Sequence, residues 1–168
     1  MGSGKTTLAR SIAHQTGIAY AALDELYWSE GWRPAPEAEY RHSVEKIARE
    51  ESWVADTFSS GATASALVRC ATVVIWLDLP RALCAWRVLR RTITNIVRRN
   101  ELWHGNRDSW KRLLSTRSPV LTSLRTHRDH RTRIDDLVAT IDTSRCEVLH
   151  FGRRDAPRRA RRSDGMEE

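Results

Sequence analysis

The sequence predicts an α/β protein in which a parallel sheet is covered on both faces by helices. Three observations carry that expectation. Short apolar runs alternate with helix-period segments along the 168 residues, the pattern of strand–helix–strand units. Gly2-Ser3-Gly4-Lys5-Thr6-Thr7 opens directly into an apolar-periodic helix, as the second half of a G-x-x-x-x-G-K-[ST] phosphate loop does. Carboxylates recur where the apolar runs end, at Asp24, Asp56 and Asp78, and ligands bind at that edge of open α/β sheets.

The elements follow in order. Leu8 to Ala13 continues a helix that Gly17 ends as a left-handed cap. Ile18 to Leu23 is a short apolar run, read as a strand that stops at Asp24-Glu25. Trp28 to Pro36 carries Trp, Gly and Pro and reads as a loop. A helix then runs to about Arg49, with Tyr40, Val44, Ile47 and Ala48 on one face. Trp53 to Asp56 is a second strand, residues 57–61 a loop, and Ala62 to Arg69 a short helix. Thr72 to Leu77 is the strongest strand, and Pro80 suits the first turn of the helix from Arg81 to about Arg99. Asn100 to Ser118 is polar and irregular, Pro119 to Arg133 helical, and Cys146 to His150 the last strand. The domain therefore covers 1–150, and the arginine-rich residues 151–168 read as a disordered basic tail.

Composition narrows the partners. A hydrophobic share of 40% with 29% charged residues is that of a globular domain, and no apolar run reaches the roughly 20 residues of a membrane span. Cys70, Cys84 and Cys146 lack C-x-x-C spacing, so they read as reduced thiols of a cytoplasmic protein rather than zinc ligands. The net charge of +7 rests almost wholly on arginine. Guanidinium forks bind phosphate in pairs of hydrogen bonds. A phosphorylated small molecule ranks above nucleic acid as the partner, because no DNA-reading motif is present.

The motif carries specific chemistry. Gly2 and Gly4 let the backbone turn its N–H groups toward phosphate oxygens, Lys5 places an ammonium on them, and Thr6 offers a hydroxyl to Mg²⁺. Ser3 and Thr7 complete the loop and the first helical turn. Asp56 suits a Mg²⁺-holding role, and Asp24 suits a base that takes or orients an acceptor hydroxyl. The competing reading of Asp24, Asp56 and Asp78 is helix capping, favoured only for Asp78. Arg87, Arg90 and Arg91 share one helix face and, unless that face is merely solvated, close over a nucleotide. The first glycine of the pattern, and the strand feeding the loop, are expected upstream of Met1.

Leu23-Asp24-Glu25-Leu26-Tyr27-Trp28, Gly31-Trp32-Arg33-Pro34, Val74-Ile75-Trp76-Leu77-Asp78-Leu79-Pro80, Trp86 to Thr92, Glu101-Leu102-Trp103 with Gly105-Asn106-Arg107, and Arg125-Thr126-His127-Arg128 form an ordered string of motifs. Together they resemble the adenylate-kinase-related P-loop proteins of the FlaR type, labelled DNA topology modulation proteins. The resemblance implies a P-loop NTPase three-layer sandwich of nucleoside-monophosphate-kinase type, with the first central strand missing from this sequence. It implies ATP and Mg²⁺ binding, phosphoryl transfer to a nucleotide or small hydroxyl acceptor, and a lid over about 94–118. Gly2 to Thr7 match the phosphate loop, and Arg87 and Arg91 the arginine-bearing lid helix. A non-catalytic nucleotide- or DNA-binding regulator is the alternative. Where such proteins read Gly-Asn-Tyr after Asp56, this chain has Thr57-Phe58-Ser59.

Overall fold

The computed structural model describes residues 1–56, 62–116, 118–152 and 158–159. Its described part is a mixed α/β fold with seven α-helices. Helix α1 (Lys5–Thr16) starts on Gly4, held at φ 96°, and stops at Gly17, whose N–H reaches the Ala13 carbonyl at φ 74°. Both positions need the left-handed region, which glycine enters without a Cβ penalty. Strand β1 (Tyr20–Ala22) is shorter than its apolar run, because Leu23 already begins helix α2 (Leu23–Tyr27).

The expected loop at 28–36 is a small antiparallel hairpin, β2 (Trp28–Ser29) and β3 (Arg33–Pro34), closed through a one-turn 3-10 segment with Gly31 at φ 72°. Helix α3 (Glu37–Ala48) buries Tyr40 and Val44 on the face expected. With Leu23 of α2 and Leu67 of α4 (Ala62–Cys70) they form the core cluster. Full burial of such side chains contributes about 1.5–3 kcal/mol each.

Strand β4 (Val54–Asp56) lies parallel to β1, with Ala22 opposite Asp56. Strand β5 (Val73–Asp78) lies parallel to β6 (Glu147–Gly152), with Asp78 opposite Gly152. Strand β7 (Arg158–Arg159) adds antiparallel to Leu149 and His150. The last strand thus runs two residues past the boundary expected at His150. The rest of the basic tail, like the loop at 57–61, lies outside the described residues.

Among the described residues the strands do not join into the single parallel sheet expected. Among the described residues β4 pairs only with β1, and β5 only with β6. A sheet needs a ladder across every neighbouring pair, and no described strand bridges β4 to β5. The N-terminal loop connects the two halves instead: Thr6 bonds Asp56 at the end of β4, while Gly2 lies against α5 (Arg81–Arg98), the helix that follows β5.

Helix α5 packs on α7 (Pro119–Ala139), which runs six residues beyond the expected Arg133. Pro80 stands as the residue before α5 rather than in its first turn. Between these helices come a 3-10 turn at Trp103–Gly105 and the four-residue α6 (Trp110–Leu113). No helix among the described residues is long and apolar enough to cross a membrane.

Candidate functional site

The chain order at the site begins with two glycines. Gly2 has φ 77°, and a Cβ there would come within 2.3 Å of the Cys84 carbonyl oxygen. The loop thus lies directly on the α5 backbone, a separation that only glycine permits. Gly4 then turns the chain into α1, whose first turn contains no acidic residue. The free N–H groups and the dipole of this twelve-residue helix favour an anion at its start.

Parallel pairing of β1 and β4 brings two carboxylates to this place. Asp56 is the last residue of β4, and Asp24 follows β1 by two residues. Asp56 is only 7% exposed, and it accepts a hydrogen bond from the Thr6 hydroxyl. Asp24 Oδ1 and Asp56 Oδ1 are both buried with no hydrogen-bond partner among the described residues. Burial and the neighbouring Asp56 charge push the Asp24 carboxyl above its ordinary value, against the pull of Lys5 and Arg91. Burial lowers the Lys5 ammonium, and Asp24 and Asp56 oppose that shift. Lys5 also donates a long hydrogen bond of 3.5 Å to Ser3 Oγ. One ammonium thus stands among two carboxylates whose lone pairs are left over.

Arg87 reaches back from α5 to the loop, with Nη1 3.3 Å from the Ser3 carbonyl oxygen. Its guanidinium also stands 3.7 Å from where a Cβ on Gly4 would sit. Arg91, one turn further on, is close enough to bias both Lys5 and Asp24. Of the sequence candidates, Gly2, Ser3, Gly4, Lys5, Thr6, Asp24, Asp56, Arg87 and Arg91 therefore gather around the start of α1. Thr7 sits in the first turn of α1 and is exposed.

Asp78 belongs elsewhere. Contrary to the capping role expected of it, it does not cap α5; it pairs with Arg131 at 2.9 Å and lies 3.5 Å from His150 Nε2. Register explains the difference, because Asp78 lies beside β6 and under α7, where a cation is already within reach. Asp24 lies inside α2, which has no side-chain cap, and Asp56 is bonded to Thr6. All three cysteines are free thiols; Cys84 and Cys146 are buried, while Cys70 at the end of α4 is exposed.

Tyr20 was missed by the sequence reading. Arg10 lies 5.5 Å from the centre of its ring, and the Tyr20 pKa is pushed up to about 12, by burial first and the Asp56 charge second. The signal was the strand period: Tyr20 and Ala22 share a face, and Ala22 lies opposite Asp56.

Asn106 is the main joint of the segment expected to be polar and irregular. Its side-chain oxygen accepts from Trp32 N at 2.9 Å, and its amide donates to the Ser29 and Trp103 carbonyls at 2.9 and 2.8 Å. His104 Nε2 lies 3.0 Å from the Glu25 carbonyl oxygen, and the Arg112 guanidinium sits 3.6 Å over the Trp32 ring. The segment is docked on the 28–34 hairpin. Tyr27 meets Trp28, and Trp28 meets Trp32, edge to face within that packing.

The donor set fits a hard divalent cation beside phosphate: one hydroxyl and two carboxylates with unused oxygens, all oxygen ligands. No family model, no curated protein and no solved structure matches this chain.

Proposed function

We propose that the chain is a P-loop phosphotransferase that moves the γ-phosphoryl group of ATP to a hydroxyl on a nucleotide or small molecule. The observation that carries this reading is the grouping of Lys5, Thr6, Asp24 and Asp56 at a glycine-turned helix start, with two carboxylate oxygens buried and unpartnered. The two parallel strand pairs are consistent with the flanks of a P-loop sandwich of the nucleoside-monophosphate-kinase type, and the free thiols with a cytoplasmic setting.

The roles follow from the side chains. Loop N–H groups and the Lys5 ammonium hold the β- and γ-phosphates. Thr6 Oγ1 and Asp56 would hold Mg²⁺, which when bound neutralises charge between those phosphates. Asp24, whose raised pKa makes it a better proton acceptor than an ordinary aspartate, takes the proton of the acceptor hydroxyl. The acceptor oxygen forms a bond to phosphorus as the bridging bond to the β-phosphate breaks, and ADP leaves. Arg87 and Arg91 place guanidinium charge over the group in transit, where a water-poor site makes it most effective.

The test is ADP formation from Mg·ATP across a panel of nucleosides, nucleotides and small alcohols. Acceptor-stimulated release that disappears in Lys5→Ala supports the reading. Lys5→Ala binding Mg·ATP as tightly as the parent would remove the basis for it.

A further inference from the structure

Helix α5 has two working faces, and the phosphotransferase reading uses only one. Cys84, Ala85, Val88, Thr92 and Asn95 are buried. On the outside, Trp86 is 60% and Val97 69% exposed, with Leu83 at 37% and Ile93 at 36%. With Arg90 these residues step along the helix by three, four, three and four positions. That is two heptads of an a/d seam, about 21 Å long at 1.5 Å per residue. The helix also carries Arg81, Arg87, Arg90, Arg91 and Arg98 and not one acidic residue. A large indole and a valine left in water on an otherwise well-packed helix mark a surface made for contact.

We propose that this seam docks an acidic amphipathic helix of a partner protein. Spacing and charge decide the occupant. Four apolar residues on a strip about 80° wide form the narrow stripe of a helix–helix seam, whereas a helix lying on a bilayer offers a broad apolar face. Arg90 stands in the middle of the seam and calls for a carboxylate opposite it. Arg87 and Arg91 turn to the Lys5 cluster, so the charge of the seam is that of Arg90. A second copy of α5 laid antiparallel would set Arg90 against Arg90 in the middle of the contact, and like charges across an interface are disfavoured. An acidic helix with apolar a and d positions satisfies both the seam and its charge. The surface lies outside the Lys5 cluster, so this inference stands independently of the proposed reaction.

The experiment uses the full chain and a fluorescein-labelled 21-residue peptide with Leu at a and d and Glu at e and g, read by fluorescence anisotropy. A matched peptide with Lys for Glu serves as its counterpart. The Glu peptide should bind and weaken as salt rises; the Lys peptide should not bind. Trp86→Ser and Val97→Asp should each lower affinity at least tenfold while leaving the thermal midpoint near that of the parent, since both side chains face solvent. Arg90→Glu should shift preference from the Glu peptide toward the Lys peptide. Equal affinity for both peptides, or none for either, overturns the proposal. So does a dimer in sedimentation that Val97→Asp dissolves, which assigns the seam to a second copy. Binding to vesicles of phosphatidylglycerol with phosphatidylcholine, without peptide binding, overturns it in favour of lipid.

Discussion

Asp24→Asn should make the protein more stable and less active. In the parent, Asp24 Oδ1 is buried without a partner among the described residues. Its carboxyl is raised above the ordinary 3.8, by burial first and by Asp56 second. A raised acid binds its proton more tightly in the folded than in the unfolded chain. Stability therefore falls as pH climbs from 3.8 through the folded value, and the full penalty remains above it. Below 3.8 both states are protonated and the penalty vanishes. Asparagine never carries the charge, and its amide can donate toward Asp56. Leaving a buried acceptor unmade costs about 1–3 kcal/mol, so a gain of about 1 kcal/mol at pH 8 is expected. For a chain of this size that raises the thermal midpoint by about 2–4 °C. Urea unfolding of parent and variant at steps from pH 8 down to the ordinary 3.8 reads the gain directly, and it should vanish toward the acid end. Acceptor-stimulated ADP release should fall at the same time, while Mg·ATP affinity changes little. A variant that is less stable at pH 8, or a gain that does not change with pH, would refute the argument.

Asp56→Asn should raise the Mg²⁺ concentration needed for half-maximal turnover about tenfold or more, and a Mg²⁺ titration of ADP release checks it. Gly2→Ala should cost about 2–5 kcal/mol, from about 1–2 for the left-handed backbone and about 1–3 for crowding the Cys84 carbonyl. Gly17→Ala, with φ 74° but nothing within 4 Å, should cost only about 1–2 kcal/mol; equal losses in urea unfolding would contradict the close approach of the loop to α5. Asn106→Ala removes three hydrogen bonds to backbone groups and should cost about 2–4 kcal/mol. It should also speed limited proteolysis between residues 100 and 116 in the absence of nucleotide, and an unchanged cleavage rate would mean that the segment is held by other contacts.

What the sequence determined by itself was local. Gly4 and Gly17 bound α1 because a positive φ suits glycine, and that preference travels with the residue. Tyr40 and Val44 are buried because a 3.6-residue period puts them on one face of α3. The Gly2 to Thr7 turn was legible for the same reason: its glycines and the helix start they lead into lie in consecutive residues. That Asp24 and Asp56 belong with Lys5 was foreseeable from the rule that strand ends share a sheet edge. Their burial and leftover oxygens came only with the β1–β4 register. Tertiary structure decided everything that depends on who lies next to whom. Asp78 pairs with Arg131 because α7 passes over it, whereas its local sequence reads as a cap. The 100–116 segment packs through Asn106, two of whose side-chain bonds to backbone, to Trp32 and Ser29, cross more than seventy residues, and no hydropathy period records those. The division of the parallel strands among the described residues into β1–β4 and β5–β6 is of the same kind. Each apolar run specifies a strand, but a ladder requires a neighbour at hydrogen-bonding distance, and only the folded chain says which strands have one.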